Sequence, residues 1–247
     1  MKKNKIFLVI YDNVKTLIGA LLIAILIRSL LFQPFYIPSS SMEPTLLVGD
    51  RIFVSKYTYG YSKHSFPFSP AIFSGRLMYK SPKRGDVVVF KTPVDNRTDY
   101  IKRLIGLPGD TVQFIDGELY LNGNQIIKTI KSKNKILYCG NSSIQVSTFV
   151  EKLPGGKTYT ASYRNDYSYE NSDKFVVPED HFFFLGDNRD CSKDSRFLSE
   201  VGYVHKTNLV GKAQILFFSS NPKIGSILKF WKWDEIMRFK RFFKKII

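Results

Sequence analysis

Apolar positions fall in three regimes along this chain of 247 residues. Between residues 17 and 32 they run almost unbroken, with Arg28 and Ser29 as the interruptions. At about 1.5 Å per residue that run falls short of a bilayer core of roughly 30 Å, so the span is extended back to Val14. This predicts one transmembrane anchor over residues 14–32, preceded by a cytoplasmic stretch 1–13, with Arg28 snorkelling outward. From Asp50 onward the apolar positions come in short runs separated by turn residues, which predicts strands.

Arg51-Ile52-Phe53-Val54 and Val87-Val88-Val89-Phe90 read as buried strands, the second entered through the turn Lys83-Arg84-Gly85-Asp86. Tyr100-Ile101-Lys102-Arg103-Leu104-Ile105 alternates, with Tyr100, Lys102 and Leu104 on one face and Ile101, Arg103 and Ile105 on the other. A hairpin follows, turning at Asp116-Gly117 and again at Asn122-Gly123. Residues 126–174 are polar and weakly patterned, which marks an inserted subdomain within residues 112–180. Phe182-Phe183-Phe184-Leu185 is a buried strand that runs into a charged loop, residues 186–196. Two strand-poor segments remain. The proline-bearing apolar loop 66–73 covers a core or dips into a membrane surface, with the membrane favoured. In the tail, residues 229–247, Ile236, Phe239, Phe243 and Ile246 recur near helical spacing, which predicts a basic amphipathic helix on anionic lipid.

Charge sharpens this picture. Lys and Arg number 37 against 21 Asp and Glu, a net +16, which favours anionic partners, either acidic lipid headgroups or nucleic acid. Lysines precede the span at positions 2, 3 and 5, while Glu43, Asp50 and Arg51 follow it, so the amino terminus is expected to stay cytoplasmic. The two cysteines, Cys139 and Cys191, have neither zinc-ligand nor CxxC spacing and are not expected to pair.

Three hydroxyls, Ser39, Ser40 and Ser41, lie between Pro38 and Pro44 just beyond the span, in a segment the prolines hold extended. A polar hinge, a secretory cleavage site and a nucleophile all fit such a stretch. Arg28 inside the apolar run and the long gap from Phe32 to Ser41 favour a retained anchor over a cleaved signal. A serine nucleophile needs a base. The histidines His64, His181 and His205 have no acidic neighbour placed to orient them, whereas Lys102 sits among apolar residues. Such a lysine is most often a snorkelling side chain; a lysine base must first be neutral. With an ordinary pKa near 10.4, about one lysine in a few thousand is neutral at pH 7, and burial worth ~2 units raises that about a hundredfold. In the loop 186–196, Asp190, Ser192 and Asp194 alternate as calcium ligands do, but Ser195 and Val201 stand where that motif needs glycine and glutamate. The loop is therefore either a presented site or a turn knitted by Asp–Arg pairs.

Four boxes taken together are more specific. Pro38 through Leu46, Arg84-Gly85-Asp86-Val87-Val88-Val89-Phe90, Tyr100 through Asp110, and Gly186-Asp187-Asn188-Arg189-Asp190 through Asp194-Ser195-Arg196 resemble, in order, those of bacterial type I signal peptidase. The resemblance implies a mainly β chain: an antiparallel catalytic domain, residues 33–111 and 181–228, with an inserted β subdomain, behind a single membrane helix. It implies a plasma-membrane serine endopeptidase that removes signal peptides from exported preproteins after small residues at −3 and −1. Ser41 would be the nucleophile and Lys102 the general base, with Ser39 completing the oxyanion hole. Ser192 would hydrogen-bond and orient Lys102, while Asp194 and Arg196 brace the loop; Ile37, Tyr100 and Ile101 would shape the substrate pockets. Expected partners are signal peptides and a bilayer with anionic headgroups; no cofactor, metal or nucleic acid is expected. A rival reading is a non-enzymatic, membrane-anchored basic β module that binds anionic lipid or RNA.

Overall fold

The computed structural model of the chain describes residues 2–70, 73–140, 142–166, 171–226 and 228–247, with side chains from Ile10 onward. Helix α1 (Lys2–Leu30) opens the chain. Its stretch Ile10–Leu30, 21 residues at mean hydropathy 1.8, is the one helix among the described residues long and apolar enough to cross a membrane. At 1.5 Å per residue it spans about 31 Å, the thickness of a bilayer core. The span lies further back than the expected 14–32. Phe32 already belongs to strand β1 (Phe32–Tyr36), where Pro34 has no N–H to offer a helix and the chain pairs with β2 (Asp50–Ser55) instead.

Strands β3 (Val87–Lys91) and β4 (Asp99–Gly106) follow, at the places the apolar runs predict. Next come β5 (Thr111–Ile115), β6 (Glu118–Leu121), β7 (Asn124–Gln125), β8 (Ile127–Cys139), β9 (Ser142–Lys152), β10 (Thr158–Arg164) and β11 (Phe175–Val176). The chain then returns through β12 (His181–Leu185), β13 (Val204–His205) and β14 (Leu209–Ser219), and β15 (Lys244–Lys245) lies near its end. The main sheet is antiparallel in the order β1-β2-β14-β3-β4-β12-β13, with β15 paired to β14.

The run Val87–Phe90 is apolar at every position because the sheet has a core on both faces. Val87 and Val89 pack with Ile37, Met42, Leu46 and Ile52 on one side. Val88 and Phe90 pack with Leu104, Phe182 and Phe184 on the other. A third core joins Ile105, Phe183 and Leu185 to Val112, Phe114, Tyr159 and Tyr163, so residues 112–180 share apolar packing with the main sheet. Their predicted hairpin turns are present, with Asp116, Gly117, Asn122 and Gly123 all at φ between 50° and 76°. The weakly patterned region holds more order than its composition announces: β8 and β9 form a long antiparallel ribbon with β10 alongside.

The tail departs from expectation. In place of one amphipathic helix it forms a four-residue helix α2 (Trp233–Ile236), short 3₁₀ turns and β15. Tertiary contacts override the helical spacing: Ile236 and Ile246 are buried, and Arg241 reaches Asp50 and the Thr45 carbonyl. Phe230, Trp231, Phe239 and Phe243 stay exposed. In the loop 66–73, Phe66 meets Phe73 edge-on and Phe68 is fully exposed, while Ala71 and Ile72 lie outside the described residues.

Candidate active site

Ser41 sits in a turn that the domain holds from three sides. Met42 and Leu46 are buried in the core, Asn188 N–H donates to the Ser41 carbonyl at 3.0 Å, and the Ser162 hydroxyl donates to the Glu43 carbonyl at 3.2 Å. The segment is not extended as its prolines suggest. Glu43 N–H closes onto the Ser40 carbonyl and Leu46 N–H onto the Met42 carbonyl, because burying Met42 and Leu46 on one face requires the chain to coil. Gly186 allows the close approach. A Cβ there would lie 2.6 Å from the Ser41 carbonyl oxygen and closer still to Ser192.

Strand β4 supplies the second group. Lys102, paired with Val88 and only 4% exposed, places its Nζ 2.5 Å from Ser41 Oγ. Burial pushes its pKa down to about 8, helped by the Arg196 guanidinium and opposed by the Asp194 and Asp187 carboxylates. About a tenth of such amines are neutral at pH 7, against about one in a few thousand for a solvated lysine. Lys102 forms no ion pair among the described residues, and the Tyr100 ring faces its ammonium at 5.4 Å. Ser39 Oγ lies 3.4 Å from Ser41 Oγ. A cavity of about 410 Å³ opens over these groups, lined by Ile37, Ser39, Ser41, Tyr100, Ile101 and Lys102 among others. Ladder pairing of β4 with β12 ends at Arg103, so on that side residues 99–102 have no strand partner among the described residues.

The loop 186–196 is knitted by ion pairs. Asp194 accepts from Gly186 N–H at 2.9 Å and pairs with Arg196 at 2.8 Å. Burial works to raise the Asp194 pKa, but Arg196 and that N–H hold it below the usual carboxylate range. Ser192 is a correction. Its Oγ is buried with no hydrogen-bond partner among the described residues, so the bond expected to Lys102 is not formed, and the bond the Lys102 amine makes is to Ser41. The cysteines are a second correction: Cys139, at the end of β8, and Cys191 are joined by a disulfide, with Cα atoms 5.6 Å apart. The β8–β9 ribbon carries Cys139 across 52 positions of sequence to Cys191, a proximity that spacing alone does not announce. Cys191 Sγ in turn lies 3.5 Å from Ser40 Oγ.

Several supporting residues escaped assignment. Arg103 makes a bidentate pair with Asp187, with both contacts at 2.7 Å, and the Thr45 hydroxyl donates to the same carboxylate at 2.5 Å. Arg189 pairs with Glu151 in a buried cluster with Tyr159 and Tyr163. Glu151 has no local signal, since its partner lies 38 residues away. Asp187, two residues past the end of the apolar strand β12, has a local signal as the first charge of the loop.

Comparison with known proteins bears on this arrangement. The profile of the family described as signal peptidase, peptidase S26, matches residues 10–218. The chain belongs to that family. Signal peptidase I of Rickettsia bellii (strain OSU 85-389) is 41% identical over 251 residues, covering 94% of this chain and 84% of that protein. Signal peptidase I of Rickettsia typhi is 43% identical over 244 residues, covering 91% and 89%. A crystal structure of a signal peptidase I from Enterococcus faecalis V583 aligns at 28% identity over 54% of this chain and 97% of that one, with a TM-score of 0.32. Family membership makes the chain a peptidase, and the rival reading as a non-enzymatic module falls.

Proposed function

We propose that this peptidase is membrane-bound and removes amino-terminal signal peptides from exported preproteins after small residues at −3 and −1, using Ser41 as nucleophile and Lys102 as general base. The observation that carries the reading is the buried, unpaired amine of Lys102 at 2.5 Å from Ser41 Oγ. A solvated or carboxylate-paired lysine would stay protonated, whereas burial lowers the pKa of this one to about 8.

In the proposed cycle, neutral Lys102 takes the Ser41 hydroxyl proton as Oγ attacks the scissile carbonyl carbon. The oxyanion forms opposite the Ser41 N–H and the Ser39 hydroxyl, donors of the kind worth a few kcal/mol each in a transition state. Lys102, now an ammonium, protonates the leaving amine. A water then attacks the acyl-enzyme, with Lys102 again accepting a proton, and Ser41 is restored. The substrate enters extended and adds to the unpaired side of residues 99–102, a β-augmentation that sets alternate side chains facing the wall built by Ile37, Tyr100 and Ile101. Small residues at −3 and −1 are what the likeness to the family leads one to expect against that wall. Asp194 and Arg196 act by bracing the loop against Gly186.

The span Ile10–Leu30 would anchor the chain in a bacterial plasma membrane, with the lysine-bearing end cytoplasmic and the β domain outside. The test uses the detergent-solubilised chain and a preprotein with an Ala-X-Ala site. Cleavage at that site, absent in Ser41→Ala and in Lys102→Ala, is the expected result; equal cleavage by all three sinks the dyad.

A further inference from the structure

A second cavity, about 530 Å³, lies apart from the Ser41–Lys102 pair, between the end of α1, the loop 63–69 and the β3–β4 connection. Its walls carry five Lys or Arg side chains, Arg28, Lys56, Lys63, Lys91 and Arg97, against two carboxylates, Asp95 and Asp99. Both carboxylates are engaged. Asp99 pairs with Lys91 at 2.9 Å, and Asp95 accepts from the Thr92 hydroxyl and from the backbone N–H groups of Arg97 and Thr98. Arg28, Lys56, Lys63 and Arg97 form no ion pair among the described residues.

Two of the lining groups are buried: Lys56, which has no ion pair among the described residues, and His64, whose pKa burial and the charges of Lys63, Lys91 and Arg76 lower to about 4, so that the ring is neutral at pH 7. Lys56 is 2% exposed, and its Nζ donates only to the Ser65 carbonyl. Burial, with Arg28 and Lys91 adding like charge against the opposing pull of the Asp99 carboxylate, lowers its pKa to about 8. His64 is 5% exposed; its Nδ1 meets the Ser69 hydroxyl at 2.9 Å while its Nε2 has no partner. A concentration of cations without counterions in a concave site is electrostatically unfavourable until an anion enters, and phosphate is the anion that several such donors serve together.

The position of the cavity names the source of that phosphate. Arg28 lies in the last turn of the membrane-length helix, and that helix end is fastened to the domain by Tyr61 Oη donating to the Leu30 carbonyl and Lys56 N–H donating to the Leu31 carbonyl. Phe68, fully exposed on the same cavity rim, is the aromatic side chain placed to enter an apolar phase. We propose that this cavity binds the phosphate headgroup of an anionic glycerophospholipid from the outer surface of the membrane, with Arg28, Lys56, Lys63 and Arg97 as its donors. This rests on the membrane-anchored reading above. It also gives the domain a fixed seat on the bilayer, with the peptide-binding cavity reached from the adjoining end of β4 through Asp99, which lines both cavities.

The test uses the full chain in discs of phosphatidylcholine containing phosphatidylglycerol, with lipids retained after release counted by native mass spectrometry. Wild type is compared with Lys63→Glu/Arg97→Glu, two exposed cavity residues, and with Lys133→Glu/Lys135→Glu, an equal charge change on exposed positions of β8. The cavity variant loses two charge-assisted donors and gains two carboxylates that repel phosphate, so retained phosphatidylglycerol should fall about tenfold or more there and stay at the wild-type level in the β8 variant. Equal retention in all three, or equal loss in both variants, overturns the proposal. Soluble glycerol phosphate binding the detergent-solubilised chain as tightly as the lipid does overturns the lipid assignment in favour of a free phosphate. Flotation with pure phosphatidylcholine vesicles reports on the anchor alone. A chain that floats but retains no phosphatidylglycerol loses this proposal and keeps the anchor, whereas one that does not float loses both.

Discussion

Lys102 and Arg103 are consecutive on one strand, both buried and both cationic by type, yet their surroundings are opposite. Lys102 meets one hydroxyl and no carboxylate, and burial lowers its pKa to about 8. In fully buried Arg103 burial works to lower the pKa as well, but the Asp187 carboxylate overrides it and raises the pKa. Strand alternation makes this possible. Neighbouring side chains leave the backbone on opposite faces, so a titratable base and a permanently charged brace stand side by side without sharing a partner. The difference also follows side-chain chemistry: a guanidinium forks onto a carboxylate and stays charged, whereas an ammonium gives up its proton when desolvated.

The contrast breaks most sharply at Lys102. Replacing it with Met, similar in length and apolar, is expected to lower kcat by at least about 10³-fold. The same change should stabilise the fold. Because the folded-state pKa lies below the ordinary value of 10.5, protonated Lys102 disfavours the folded chain. That penalty is complete below about pH 8 and disappears as the pH rises toward 10.5, so Lys102→Met should gain up to about 3 kcal/mol in urea unfolding at pH 7 and little at pH 10. A stability loss at pH 7 would contradict it.

Asp187→Ala tests the other member. It leaves the Arg103 charge buried without a carboxylate, and a loss of about 3–5 kcal/mol is expected, measured as a lower urea midpoint. Arg103→Lys keeps the charge and removes the fork, so a smaller loss of about 1–3 kcal/mol is expected. The gentlest test changes only pH. Turnover of a fixed substrate should rise about tenfold per unit up to pH near 8 and level off above it, with the inflection set by Lys102. A rate independent of pH between 6 and 8 would show that Lys102 is not the base.

The elements of the main sheet were legible because they are local. Val87–Phe90 and Phe182–Leu185 are short apolar runs, and the turns at Asp116-Gly117 and Asn122-Gly123 carry residues suited to positive φ. The candidate site residues Ser39, Ser41 and Lys102 were legible through motifs resembling a known family, and they line one cavity here. The tail misled because its helical spacing was outweighed by contacts invisible in a window of sequence, among them Arg241 on Asp50 and the pairing of β15 with β14. Ser192 misled for a related reason. Its place in the box is right beside the Ser41 turn, but the direction of a hydroxyl is set by neighbours, and here none takes its hydrogen bond.

By itself the sequence determined an apolar span near the amino terminus, a mainly β chain and an alternating strand that carries Lys102, since periodicity and composition are properties of neighbours along the chain. Only the tertiary structure decided that the Lys102 amine meets Ser41 while Asp187 goes to Arg103, that Cys139 joins Cys191, and that four cations without an ion pair among the described residues share a cavity at the foot of the helix. Each of these joins groups far apart in sequence. Their proximity depends on the register of strands and the burial of whole segments, quantities that no local pattern contains.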